Sequence, residues 1–98
     1  MEDGVTQAEA AEGDLVLVNR QGLHARPSQL VVKTCNAFNA RIQLRRGEIA
    51  VDGKSIMGVL LLGADKGSVL RVRAEGPDAR KAVEALQALF ASGFGEPI

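Results

Sequence analysis

Hydrophobic positions along the chain follow two rhythms, one of two residues and one close to four. In RIQLRRGEIAV (residues 41–51), Ile42, Leu44, Ile49 and Val51 alternate with Arg41, Gln43, Arg45 and Glu48, and Arg46 and Gly47 stand at the bend. That period predicts a β-hairpin with one dry face. VLRVRAE (69–75) alternates in the same way, Val72 and Ala74 against Arg71, Arg73 and Glu75. LVLV at 15–18, ended by Asn19 to Gly22, suits a short buried strand.

The helical rhythm appears three times. From Ala25, an apolar series at Leu30, Val31, Cys35 and Phe38 is backed by Gln29, Lys33 and Asn36. Pro27 falls in the first turn of that helix, where a missing amide donor costs nothing. After the Asp52-Gly53 turn, Ser55 stands at the N-cap of a short apolar helix, IMGVLLL, closed near Gly63. Beyond the Lys66-Gly67 turn and the next strand, Gly76-Pro77-Asp78 opens a last helix with Ala82, Val83, Leu86, Leu89 and Phe90 inward.

The resulting order, βαββαβα, predicts an α+β fold: an open-faced β-sandwich, a four-stranded antiparallel sheet with three helices on one face. The other face is expected to be wet and to carry Arg41, Gln43, Arg45, Arg71 and Arg73. Residues 1–13, MEDGVTQAEAAEG, have no hydrophobic period and read as a flexible acidic extension. The domain is then expected at 14–92, and residues 93–98 trail off through Gly93 and Gly95 as a tail.

A chain of 98 residues supports one core but no deep, multi-lobed active site, which favours a protein acting at its surface. Phenylalanine is the only aromatic, so the core is built from Val, Leu, Ile and Ala, and no Trp or Tyr can stack on bases or sugars. Lys plus Arg and Asp plus Glu both total 12, yet Glu2, Asp3, Glu9 and Glu12 all fall in the first 13 residues. The body from Asp14 onward therefore carries a net +4, enough to attract acidic partners or simply a solvated mixed surface. The single cysteine, Cys35, excludes an internal disulfide, and no Cys and His spacing suits a metal. No signal peptide and no stretch of roughly 18 apolar residues is present, so a cytoplasmic protein with no membrane association is expected.

The candidate chemistry is concentrated in NRQGLHARPSQL (19–30), which contains the one histidine. With the helix starting at Ala25, His24 occupies the N-cap, and the unpaired amides of the first turn, those of Ala25 and Arg26, point toward its ring. An anion on that ring meets N–H donors and the positive end of the helix dipole. The same dipole disfavours a second proton, which suits a neutral, nucleophilic imidazole. Arg26 adds a fixed cation able to give phosphate charge-assisted hydrogen bonds. A labile phosphohistidine fits this set, and without a P-loop or Mg²⁺ carboxylate pair the phosphoryl group must come from another protein.

GLHARP at 22–27, KSIMGVLLLGA at 54–64 and the AEG turn before the last helix closely resemble HPr, the histidine-containing phosphocarrier protein of the bacterial phosphotransferase system, over residues 14–92. The resemblance implies a monomeric carrier that is not itself an enzyme and needs no cofactor. Enzyme I, charged by phosphoenolpyruvate, phosphorylates Nδ1 of the histidine, which passes the group to an enzyme II A-type domain. His24 matches that histidine and Arg26 the arginine that steadies its phosphate. Ser55 matches the serine that HPr kinase/phosphorylase modifies in relatives, although its N-cap role, worth about 1 kcal/mol, alone explains a serine there. Ile56, Met57 and Leu60 resemble the family's partner-contact patch, or are core residues of a short helix, Leu60 especially. The chain departs from the common pattern at Gln21 and Ser28, neither a phosphate ligand, and in its long acidic start.

Two other classes share features with this sequence. An HPr-like protein that regulates by docking, without transfer, would not need both His24 and Arg26. An RNA-recognition domain has a similar element order and tolerates arginines on an open sheet, but needs aromatic platforms that the strands here lack, so no nucleic-acid partner is expected.

Overall fold

The computed structural model of the chain describes residues 9–98. In chain order the elements are β1 (Ala10–Val16), α1 (Ala25–Asn36), β2 (Arg41–Arg46), β3 (Ile49–Asp52), α2 (Ile56–Leu61), β4 (Val69–Glu75) and α3 (Ala79–Ala91), followed by a 3-10 turn at Gly93–Gly95. The four strands form one sheet in the order β1-β4-β2-β3, with every neighbour antiparallel. The expected open-faced α+β sandwich is the fold found.

Alternation along the strands creates the two faces. Leu15, Ile42, Leu44, Leu70, Val72 and Ala74 point at the helices and are buried, while Arg41, Gln43, Arg45, Arg71 and Arg73 are exposed. Val72 sits centrally, opposite Gly13 on β1 and Leu44 on β2. The helices answer with Val31 and Cys35 from α1, Val59 from α2, and Ala82, Val83, Leu86 and Phe90 from α3.

Three boundaries differ from the sequence expectation. β1 begins at Ala10 rather than Leu15, so residues 10–13 belong to the sheet and not to an extension; the expectation for residues 1–8 lies outside the described residues. A Cβ on inward-facing Gly13 would lie 2.5 Å from Gln87 Nε2 and 3.1 Å from Val83 Cγ1, so a larger residue must displace the Gln87 side chain and crowd Val83 on α3. That small residue conceals the strand's hydrophobic period. On the outer side, Glu12 pairs with Arg71 at 3.3 Å and Arg73 at 2.6 Å, and Asp14 with Arg71 at 2.8 Å. Hydrogen bonds from Arg73, then Arg71, hold the Glu12 carboxyl below its ordinary range. The strand also ends sooner than expected, at Val16, and Leu17 continues as a buried arch bonded to Gly67 and Ser68.

The second difference is the β2–β3 turn, which is Gly47-Glu48: Arg46 still pairs with Ile49, and Gly47 takes φ +59°. The Arg46 guanidinium donates to the carbonyls of Leu62 and Gly63 at 2.9 and 3.1 Å, satisfying the end of α2. Ile49, expected inward, is 44% exposed because it lies on the edge strand opposite this arginine rather than a core side chain.

The third is the last six residues, which fold back instead of trailing off. Gly93, Phe94 and Gly95 all have positive φ, at 64, 59 and 73°, reversing the chain after α3. The left-handed conformation costs a phenylalanine about 1–3 kcal/mol. Burial of the Phe94 ring, edge-on to Phe90 at a centroid distance of 4.9 Å, offsets it by a similar amount, about 1.5–3 kcal/mol.

Gly13→Val is expected to destabilise the fold by about 1–3 kcal/mol in urea unfolding, because the new side chain meets α3. Arg41→Gln, on the open face, is expected to stay within about 0.5 kcal/mol. Equal stability of both variants would contradict the extent of β1.

Candidate functional site

The segment carrying His24 is fastened to the chain that follows α2. Gly22 has φ +66°, and a Cβ there would lie 2.6 Å from the Ala64 carbonyl oxygen, so only glycine permits this approach. The Leu23 N–H donates to that same carbonyl at 2.9 Å, and the Leu23 side chain is buried. GLHARP and the end of KSIMGVLLLGA are thus joined through main chain. Behind the loop, fully buried Asn19 donates from Nδ2 to the Gly22 carbonyl at 2.8 Å, and Ser28 donates from Oγ to the Leu23 carbonyl at 3.2 Å.

This anchoring places His24 at the N-cap of α1, with extended backbone at φ −82° and ψ −167°. The first main-chain bond of the helix runs from Ser28 N–H to the His24 carbonyl. Pro27 has no amide hydrogen, so the first turn offers the N–H groups of Ala25 and Arg26, which have no acceptor among the described residues. The ring is partly accessible, with 36% of its side-chain surface exposed.

Glu96, which sequence reasoning missed, completes the arrangement. The folded-back tail brings its carboxylate to His24, Arg26 and Asn19 together. Oε1 lies 2.9 Å from His24 Nε2 and accepts from Asn19 Nδ2 at 3.1 Å, while Oε2 accepts from Arg26 Nη1 at 3.0 Å. Arg26 Nη1 also donates to the Phe94 carbonyl at 3.1 Å, and Arg20 N–H to the Pro97 carbonyl at 2.8 Å. An ionised carboxylate only accepts, so Nε2 is the ring nitrogen that carries hydrogen. No described residue donates to Nδ1. Hydrogen bonding from His24, then from Arg26 and Asn19, holds the Glu96 carboxyl below its ordinary value near 4.5.

Arg26 engages these oxygens through one terminal nitrogen, leaving Nε and Nη2 for another acceptor. Its side chain is 58% exposed and borders a cleft of about 420 Å³ with Arg20, Gln21, Gly95, Glu96 and Pro97. An imidazole nitrogen, two amides and a guanidinium together can receive and hold a tetrahedral anion. By contrast Cys35 is buried, and burial pushes its thiol up to about 12, so it offers no thiolate. Among the described residues no group of three His, Cys, Asp or Glu could hold a metal ion, and no helix is long and apolar enough to cross a membrane.

The second motif lies at the start of α2, beside α1. Ser55 is its N-cap: Oγ accepts from Gly58 N–H at 3.2 Å, and the side chain is half-buried. Met57 is 75% exposed, Leu60 is also on the surface, and Ile56 is half-buried. The reading of Leu60 as a core residue therefore falls, since a six-residue helix turns only Val59 fully inward. Leu61, 69% exposed, joins this apolar surface without having been singled out by the sequence. On the open sheet face, Arg71 and Arg73 are occupied by Glu12, Asp14 and Glu75, and no aromatic residue stands among them.

Fold and site together define a small domain that presents one partly exposed imidazole at a helix N-terminus. Comparison with known proteins agrees: the family described as PTS HPr component phosphorylation site matches residues 11–92. Phosphocarrier protein HPr of Cupriavidus necator is 41% identical over 83 residues, covering 85% of this chain and 93% of that protein. The HPr of Treponema pallidum is 44% identical over 80 residues, covering 82% and 91%. The crystal structure of HPr-C-His from Thermoanaerobacter tengcongensis superposes with a TM-score of 0.86 at 40% identity, covering 90% of this chain and 99% of that one. The chain belongs to the HPr family of phosphocarrier proteins.

Because Glu96 is bound as the carboxylate, its contribution to tail docking is full above pH 4.5 and is lost as pH falls through its lowered folded-state value. Carbon-detected NMR titration of the Glu96 carboxyl is expected to show a midpoint below 4.5, with the Phe94 signals following. A midpoint at or above 4.5 would contradict the three-donor arrangement.

Proposed function

We propose that His24 accepts a phosphoryl group on Nδ1 from phosphoenolpyruvate-charged enzyme I in the cytoplasm and passes it to enzyme II A-type domains. What carries this reading is the engagement of Nε2 by Glu96, which leaves the Nδ1 lone pair as the nucleophile beside the Ala25 and Arg26 amides. Transfer needs no pocket. The partner supplies its own reactive group, and the ring is accessible enough to meet it in line. Met57, Leu60 and Leu61, with Ile56, form the apolar surface on which the partners dock.

Ser55 is the site of regulation by HPr kinase/phosphorylase. A phosphate on Oγ adds up to two negative charges beside exposed Met57, opposing an apolar or acidic partner by desolvation and charge. It acts at the docking surface and leaves His24 in place.

Incubation with enzyme I and phosphoenolpyruvate is expected to give one acid-labile phosphate per chain. His24→Ala abolishes it while circular dichroism and thermal unfolding show an intact fold; an unfolded variant would instead mean a structural histidine. Arg26→Ala removes a charge-assisted contact worth about 1.5–3 kcal/mol and slows transfer by about 10- to 100-fold. An unchanged rate would show that the amides suffice. No phosphate on the wild-type chain, with a control HPr working, would favour a docking protein that does not transfer.

A further inference from the structure

Resting on the reading of His24 as the phosphorylated residue, the carboxylate at its Nε2 acquires a role of its own. We infer that Glu96 is a positioning residue for phosphoryl exchange: it retains the Nε2 proton in both the free and the phosphorylated state, so that the ring attacks and departs as a neutral imidazole.

The bond balance requires a group of this kind. In acceptance, the Nδ1 lone pair forms the N–P bond while the bond from phosphorus to the donor's own atom breaks, its electron pair leaving with the donor. No proton moves. The ring then holds hydrogen on Nε2 and phosphorus on Nδ1, and carries one positive charge. In onward transfer the acceptor's lone pair forms the new bond to phosphorus, and the N–P electrons return to Nδ1. With the Nε2 proton in place the leaving group is neutral imidazole; without it the leaving group is imidazolate, a far stronger base that departs slowly. A carboxylate 2.9 Å from Nε2 faces the positive ring at the moment the phosphoryl group is mounted.

Glu96 is built to stay ionised and in register for this. Phe94 anchors the tail in the core, Asn19 donates to the same oxygen that faces His24, and Arg26 holds the other. Among the described residues, the charged groups on the elements packed about the His24 loop are Glu96 on the tail, Arg26 on α1, Arg20, which lines the same cleft as those two, and Asp65, whose backbone packs on Gly22. Of these, Glu96 alone is in hydrogen-bond contact with the imidazole. Arg26, which keeps Nε and Nη2 available, spans the carboxylate and the incoming phosphoryl group and offsets the repulsion between them. The arrangement parallels the carboxylate that orients a catalytic histidine in a serine protease, with phosphoryl exchange in place of proton transfer.

The test is the pH profile of onward transfer from the phosphorylated protein to an A-type domain, with nitrogen-15 NMR of the phosphohistidine ring, for wild type, Glu96→Gln and Glu96→Ala. Glu96→Gln keeps the shape and an oxygen acceptor but removes the charge. It is expected to shift the high-pH fall of the transfer rate, and the loss of the Nε2 proton seen by NMR, about one pH unit downward, a roughly tenfold weaker hold. Glu96→Ala moves both in the same direction. Identical profiles and ring signals in wild type and Glu96→Gln, with both accepting phosphate and both folded, overturn the role of Glu96 alone. Failure of the wild-type chain to accept phosphate overturns the assignment of His24 and this role with it.

Discussion

One imidazole shared between two ends of the described chain is the contact on which the site depends. The head of α1 supplies main-chain donors to one side of His24, and the tail supplies the Glu96 carboxylate to its Nε2. The carboxylate determines which nitrogen bears hydrogen, and so which is left to react. Without it the ring would be a solvent-exposed histidine able to adopt either tautomer; with it, the proposed function takes Nδ1 as the nucleophile.

The fold's contribution is to make this contact cheap to maintain. The loop at 19–24 is held by backbone bonds and the buried Asn19 amide rather than by His24 or Arg26. Gly22 lets the loop touch Ala64, so the two motifs of the sequence share one main-chain hydrogen bond. The strained Gly93–Phe94–Gly95 reversal is offset by the edge-on packing of Phe94 against Phe90, on the helix that also covers β1. Chemistry therefore sits on a surface whose geometry is set from beneath.

Much of this was legible in the sequence because the physics is local. Alternation in RIQLRRGEIAV and VLRVRAE exposes a sheet with one wet face, and a histidine before Ala-Arg-Pro marks a helix start. Where the reading failed, the cause was a distant contact. Ala11 and Gly13 look like linker residues until α3 is laid over them, and Ile49 looks inward until β3 proves to be an edge. Glu96 gives no sign in its own neighbourhood, since a carboxylate between glycine and proline resembles any tail. The faint signal was Gly-Phe-Gly, an aromatic between two residues that tolerate positive φ, which suggests a buried anchor at a reversal. The sequence reading also counted only the helix dipole acting on His24, and missed the negative charge placed beside Nε2.

A phosphocarrier must hold a phosphoryl group firmly enough to move between partners and loosely enough to release it. Under the proposed function the amides and Arg26 serve the first need and a neutral leaving ring the second, while α2 provides the surface on which partners exchange. The most direct measurement is the nitrogen–phosphorus coupling in nitrogen-15-labelled protein charged by enzyme I and phosphoenolpyruvate. Coupling of phosphorus to Nδ1 of His24 is expected; coupling to Nε2, or a phosphate mounted on any other residue with His24 unmodified, would contradict the assignment.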